Sequence, residues 1–240
     1  MRVAISQPTY LPWMGYFGLL DSVDLFVFFD DVQYSQSEWS NRNKIKNPFT
    51  DDWIWLTVPV VYGGHHTMIN QMIIDNSTDW KKKHWQSIFH FYSKTKHFSE
   101  YKDEIKTIYD RDWKGLCEIN IAIIKIISKM LKIKIPEYIC ASELTDVSGN
   151  KTDRLISILE KIKANEYLSV TGTKKYIEPQ KFVERNIKLY WFDYNHPTYE
   201  QAGKFFSSHM SVLDLLFNCG SDSLKHIRDG LQGAITAVGQ

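Results

Sequence analysis

Charge of one sign is missing from this 240-residue chain: Lys plus Arg number 29 and Asp plus Glu 28, so no net field recruits a polyanion. General nucleic-acid binding and adhesion to an acidic membrane are not expected, which leaves only local basic patches. Arginine is scarce, 6 against 23 lysines, a ratio that speaks against a broad phosphate-reading surface. Cysteine is nearly absent as well. Cys117, Cys140 and Cys219 are far apart, each in apolar sequence and none beside a histidine or a basic residue. They read as buried free thiols, in keeping with a reducing cytoplasm and against a catalytic thiolate. Long apolar runs are lacking too. The stretches near 25–29 and 119–127 are too short or too interrupted to span a bilayer, so no membrane insertion is expected. The N-terminus has no h-region of a signal peptide. No Gly-x-Ser-x-Gly, P-loop or Gly-x-Gly-x-x-Gly occurs, which removes serine hydrolase, Walker ATPase and standard dinucleotide readings.

What is abundant is rings: 8 Trp, 13 Tyr and 13 Phe, 14% of the chain. Such a surplus belongs either to a ring-rich core or to a surface that holds something flat, such as a sugar or a base. Along the chain, a strand at 3–6, a Pro-rich loop, a helix at 13–22 and a continuous apolar run at 24–30 make a βαβ unit. Strands are further expected at 53–60, 69–74, 135–140, 167–170 and 187–192. Helices are expected at 78–92, 98–110, 113–131, 152–164 and 211–218, the last closed by Gly220. The tail after Asp229 carries little pattern. The fold class is α/β: a mostly parallel, Rossmann-like sheet flanked by helices, one domain over 1–240 with a helical insertion at about 78–132.

Ligands of open parallel sheets sit beyond the carboxyl ends of the strands, which selects three loops. In the first, Gln7, Tyr10, Trp13, Gly15 and Tyr16 are candidates, with Gly15 at the helix start where backbone N–H groups would meet a phosphate. The second offers Asp30, Asp31, Gln33 and Tyr34. Adjacent residues of a strand point to opposite faces, so the two carboxylates would not form a dyad. The third, Thr171, Gly172 and Lys175, would cradle a phosphate. Between them lies the densest donor set, Asn41, Arg42, Asn43, Lys44 and Lys46. If extended, it projects its three cations to one side, as a diphosphate requires. His196, after a strand end, is a candidate base near neutral pH, with Asp30 the other catalytic candidate. Tyr199, Asp214 and Asn218 complete the set, the last two together with Ser211 on one face of an apolar helix where they require partners. Gly63, Gly64, His65 and His66 lack zinc spacing and read as a loop that would close over substrate; no metal is expected.

The runs QPTYLPWMGYF, FFDDVQYS, NRNKIK, WLTVPV, HPTYEQ and SVLDLLFNCG, in this order, resemble the WbqC-like protein family. The likeness spans about residues 1–60 and 140–220. The resemblance implies a place among the genes for O-antigen and other surface polysaccharides more than it implies a reaction. Relatives tend to read Ser-Gly-Pro where this chain has Val170-Thr171-Gly172-Thr173. A second likeness is to the HxGH layout of nucleotidylyltransferases and pantothenate synthetase. Both histidine positions, Trp13 and Tyr16, are aromatic here, which removes that route to adenylyl transfer. The leading expectation is a transferase of surface-polysaccharide biosynthesis acting on a nucleotide-linked amino sugar, by acyl or aminoacyl transfer. An activated acyl donor would be its co-substrate; no resident cofactor is read. An ATP-using ligase or nucleotidyltransferase, and a non-catalytic sugar-nucleotide-binding protein, are the alternatives. Monomer or homo-oligomer is open.

Overall fold

The computed structural model describes residues 1–36, 38–61, 64, 66–133 and 136–239. A six-stranded sheet runs in the order β5-β2-β1-β6-β7-β8: β1 (Arg2–Ser6), β2 (Leu25–Phe28), β5 (Glu137–Cys140), β6 (Glu166–Val170), β7 (Lys188–Phe192) and β8 (Ile235–Ala237). All neighbours are parallel except β8, which runs antiparallel to β7. A separate antiparallel hairpin pairs β3 (Arg42–Asn47) with β4 (Asp52–Thr57). The helices are α1 (Met14–Asp21), α2 (Trp80–Tyr92), α3 (Phe98–Asp110), α4 (Leu116–Met130), α5 (Lys151–Lys161), α6 (Pro179–Glu184), α7 (Val212–Cys219) and α8 (Ser223–Asp229). The fold is α/β and Rossmann-like, a mostly parallel sheet flanked by helices.

Alternation along the strands sorts the core into two layers. Ala4, Phe26 and Phe28 face the side covered by α1 to α4, α7 and α8. Val3, Ile5, Leu25 and Val27 face α5 and α6. Both faces of β2 are therefore covered, which is why its four residues are all apolar and all buried. The chain steps outward from β1 to β2 and β5, and α5 then returns on the opposite face to β6, beside β1. That reversal of direction is where a doubly wound sheet opens its ligand crevice.

Two expectations need correction. Residues 69–74 form no strand but a single 3-10 turn at Ile69–Gln71 followed by isolated bridges, because their partners are single residues of separate loops: Val60 for Ile74 and Gly115 for Ile73. The tail after Asp229 is ordered: the Asp193 N–H bonds to the Ala234 carbonyl and β8 pairs along the edge of β7. Ile135, where a strand was expected to begin, lies outside the described residues, as do Gly63 and His65. Gly220 closes α7 at φ +55°, as read from the sequence. No helix among the described residues is long and apolar enough to cross a membrane.

Candidate functional site

At the carboxyl edge of the sheet, a cleft of about 640 Å³ lies between the segment after β2 and the start of α5, with Tyr176, beyond β6, on its wall. Its volume is that of a small-molecule site. Asp31 and Gln33 line it from one side, Asn150, Lys151 and Arg154 from another. Arg154 ion-pairs with Asp31 and donates to the Val147 carbonyl at 2.5 Å. Asp31 Oδ2 is taken by that pair, whereas its Oδ1 is buried without a hydrogen-bond partner. The helix start is held in place from below: buried Thr152 donates to the Tyr176 carbonyl at 3.0 Å and accepts the Glu178 N–H at 3.1 Å. Lys151 sits at φ +48°, a left-handed backbone unusual for a residue with a Cβ. Such strain persists where surrounding structure enforces it, often at binding sites. A second cleft of about 630 Å³, at the amino end of β7, has Lys188 and the Tyr190 phenol as its ionisable groups and offers no comparable set.

Asp30 and Asp31 part company, as adjacent extended residues do. Asp30 is buried and turns to the loop after β5. It accepts the Ser142 N–H at 3.0 Å and the Ser142 hydroxyl at 2.6 Å, with Asn70 Nδ2 at 3.4 Å. Its carboxylate is committed to fastening that loop, which corrects its expected role as a base.

The first loop is not a ligand platform but a buried one. Pro8, Tyr10, Leu11 and Pro12 are all buried. The carbonyls of Pro8, Tyr10 and Leu11 are capped by two buried amides: Asn120 Nδ2 bonds to Pro8 O at 3.0 Å and also to Ser40 O at 2.7 Å, and Asn43 Nδ2 to Leu11 O at 2.7 Å and Tyr10 O at 3.3 Å. Asn43 is thus a loop anchor. Tyr10 is wholly buried, its hydroxyl 2.9 Å from His84 Nδ1 and 3.0 Å from the Tyr109 hydroxyl. Tyr16 is buried and donates to the Gln7 carbonyl at 3.0 Å, which leaves the Gln7 side chain exposed at the end of β1. The Trp13 indole folds back over Gly15 and covers the first turn of α1, where an HxGH arrangement would receive phosphate. A Cβ on Gly15 would lie 2.3 Å from the Trp13 ring. The indole is itself clamped, stacked on His209 at 4.9 Å and edge-on to Tyr194 at 5.3 Å. Gly15→Ala should therefore cost about 1–3 kcal/mol by overpacking, measured as a lowered denaturation midpoint with unchanged slope.

On the hairpin, Arg42, Lys44 and Lys46 do share one face, opposite Thr57, Trp55 and Trp53. They do not converge on an open anion site. Arg42 lies over the Trp55 ring at 4.2 Å and Lys44 over Trp53 at 4.3 Å. Lys46 is 1% exposed, donating to the Phe205 carbonyl and 3.6 Å from Asp51. The loop at 203–205 closes over that end of the hairpin, so Lys46 is corrected from a diphosphate ligand to a loop anchor.

His196 is committed at both nitrogens. Nδ1 donates to the Pro197 carbonyl at 2.8 Å, and Nε2 accepts the His209 N–H at 3.1 Å. Burial lowers its pKa, so the neutral ring that satisfies both bonds is the favoured one. This arrangement corrects its reading as a free base. Asp214, fully buried, accepts from the Tyr92 hydroxyl at 2.9 Å, the Tyr199 hydroxyl at 2.8 Å and Gln201 Nε2 at 2.5 Å. Asn218 accepts the Ala202 N–H at 3.0 Å. Tyr199, Asp214 and Asn218 thus fix the loop after His196 and have no atom on the cleft. Ser211 caps α7, its hydroxyl accepting the Leu213 N–H at 3.3 Å. Thr171 and Gly172 form a 3-10 turn after β6, with Gly172 and Lys175 exposed beside the cleft-lining Tyr176. The cysteines are free, and burial pushes the Cys117 and Cys219 thiols up to about 12 and Cys140 to about 11. Among the described residues no group of three or more His, Cys, Asp and Glu is placed to hold a metal ion.

Sequence reasoning missed Asn150, Lys151 and Arg154. The available signal was topological: a helix that returns from β5 to β6 begins at the carboxyl edge of the sheet. Comparison with known proteins agrees with the scale of the fold. An uncharacterized protein of Mycobacterium tuberculosis, Rv1507c, is 36% identical over 230 residues, covering 95% of this chain and 97% of the relative. No solved structure matches at a significant level. The family model of the WbqC-like proteins matches residues 7–226, nearly the whole fold including the cleft, and the chain belongs to the WbqC-like protein family.

Proposed function

We propose that the chain is a transferase of surface-polysaccharide biosynthesis that acts on a nucleotide-linked amino sugar held in the α5 cleft. The observation that carries this reading is Asp31: a residue that lines a cleft of ligand size, with one carboxylate oxygen tied to Arg154 and the other buried without a hydrogen-bond partner. The diphosphate would lie against the start of α5, where backbone N–H groups, the helix dipole and Lys151 favour anionic charge. Tyr176 and Phe29 supply flat apolar surface to a sugar or base. The Asp31 carboxylate would take the proton of the sugar amine as the amine attacks an activated acyl carbon. The new N–C bond forms as the bond from that carbon to its leaving group breaks. The pathway context rests on family membership, and the residue roles rest on the cleft.

Titration calorimetry with a panel of nucleoside-diphosphate amino sugars checks the substrate class, and the same panel with acyl thioesters checks turnover. Binding to the intact protein is expected, weakened roughly 10- to 100-fold by Arg154→Ala, the loss of charged hydrogen bonds. No binding and no turnover across the panel would remove the substrate class.

A further inference from the structure

Six Trp, Phe or Tyr side chains are exposed among the described residues, and five of them gather in one place. Trp39 just before β3, Phe49 on the hairpin turn, Trp53 on β4, and Phe205 and Phe206 on the loop clasped to that turn are 38% to 63% exposed. The clasp is explicit. Asp51 Oδ1 accepts the Lys204 N–H at 2.6 Å and the Phe205 N–H at 3.0 Å, and Lys46, directly opposite Trp53 in the hairpin, donates to the Phe205 carbonyl. Opposed residues of a hairpin share a face. Phe205 therefore continues the row that Trp39, Trp55 and Trp53 begin, with 5.5 Å between the ring centroids of each neighbouring tryptophan pair. Cations line the row. Lys44 Nζ lies over Trp53 at 4.3 Å, Trp55 at 5.2 Å and Trp39 at 6.0 Å, and Lys204 Nζ over Phe205 at 5.2 Å. Of the acids nearby in the chain, Asp51 is turned to the loop amides and Asp52 alternates to the other face of β4, which leaves Glu38 beside Trp39.

These rings line neither the α5 cleft nor the cleft beside β7. Nor do they make a flat floor: Trp39 stands at 49° and Trp53 at 81° to Trp55. A base or a sugar stacks on a ring face or between parallel faces. A row of tilted, outward rings suits an apolar medium that has no fixed direction. We propose that this edge of the hairpin docks on an anionic phospholipid bilayer. Trp39, Trp53, Phe205 and Phe206 then lie at the boundary between headgroups and acyl chains, and the ammonium groups of Lys44 and Lys204 on lipid phosphates. Aromatic rings favour that boundary, and lysine stems follow apolar surface while their charged ends stay in the headgroup layer. The even charge of the whole chain does not oppose this, because charges more than about 10 Å from the bilayer are largely screened and the row itself is cationic. The contact is peripheral and reversible, with no spanning segment. It goes beyond the sugar-nucleotide reading and requires nothing of the α5 cleft, so either can fail without the other.

Co-sedimentation of the full-length protein with vesicles of phosphatidylcholine alone, and of phosphatidylcholine mixed with phosphatidylglycerol, tests it. The protein is expected to pellet with the mixed vesicles, far more weakly with phosphatidylcholine, and to be released as salt rises. Phe205→Ser should weaken partitioning about tenfold and Lys204→Gln about fivefold. Both side chains are exposed, so the lipid-free variants should melt like the parent. Val183→Ser, at a similarly exposed apolar position on α6, should bind like the parent. Mixed vesicles with brominated acyl chains should quench part of the tryptophan emission, and less of it in Trp53→Phe. No pelleting with the mixed vesicles overturns the proposal. Pelleting that Phe205→Ser leaves unchanged, or that brings no quenching, is adhesion of charge alone and overturns it too. Dimerisation in lipid-free solution that Phe205→Ser abolishes would assign the row to a second copy of the chain and overturn it likewise.

Discussion

Asp214→Ala is expected to destabilise the protein by about 3–5 kcal/mol, the range for breaking a buried charged network from one side. Asp214 is the common acceptor for Tyr92, Tyr199 and Gln201, and its removal strands three donors beneath α7 at once. Burial pushes its carboxyl up from the usual range, opposed by those three donors and by Lys46. The network extends past the acid. Gln201 also binds the Ser207 carbonyl at 3.1 Å and accepts its N–H at 2.8 Å, and the Lys46 N–H donates to the Tyr92 hydroxyl at 3.0 Å. Lys46, Asp51 and Asn218 hold the loop at 202–205, and Asp214 is what fixes its start through Tyr199 and Gln201. Denaturant unfolding of Asp214→Ala, Tyr199→Phe and their double variant checks this. The double variant should lose much less than the sum of the singles, because the two groups are partners. Limited proteolysis should cut the Asp214→Ala protein first near the exposed Gly203 to Phe206. Additive losses and an uncut loop would show that Asp214 is not its anchor.

The same network explains what the sequence disclosed and what it hid. Leu25–Phe28 was legible because a strand buried on both faces must be apolar throughout, and α7 because its periodicity ends in a glycine suited to positive φ. The spacing of Asp214 and Asn218 showed that partners were needed but not who they were, since Tyr92 lies 122 residues away. Tyr10 looked like a ligand ring because a Pro-rich loop after a strand is ordinarily a surface feature. Here Asn43 and Asn120, far off in the chain, cap its carbonyls and let the loop sink into the core. Arg154 was invisible for the converse reason: it sits in an ordinary amphipathic helix, and only the docking of α5 beside β2 brings it to Asp31. The ring surplus divides accordingly. Tyr10, Tyr16, Phe17 and Tyr92 are core, while Trp39, Trp53 and Trp55 form an outer layer that seats Arg42 and Lys44. Local pattern reports burial well; chemistry that depends on which buried group meets which is set by topology.

Acidification supplies the other large effect. His84 is buried between Trp80, Tyr10 and Tyr109, with Nδ1 on the Tyr10 hydroxyl and a further ring hydrogen bond to the Thr57 carbonyl. A neutral imidazole satisfies both, accepting from Tyr10 and donating to Thr57; a second proton would displace the Tyr10 donor and place a charge in the core. Burial accordingly lowers its pKa from 6.5 to about 4. In the unfolded chain the ring titrates near 6.5, so between that value and about 4 the unfolded state binds more protons. This histidine's contribution is thus whole above pH 6.5 and is lost as the pH falls toward 4. The difference amounts to roughly 3 kcal/mol. His196 and His209, whose pKa values burial also lowers, add in the same direction. The isolating measurement is therefore a comparison of pH profiles of unfolding free energy for the parent and His84→Gln. The variant should be less stable at pH 7, having lost a fitted core ring. It should nonetheless fall less steeply between pH 6.5 and 4, so that the two curves converge in acid. Parallel curves would mean that the His84 ring accepts its proton in the fold as readily as in the unfolded chain, and that the Tyr10–His84 bond does not fix a neutral imidazole.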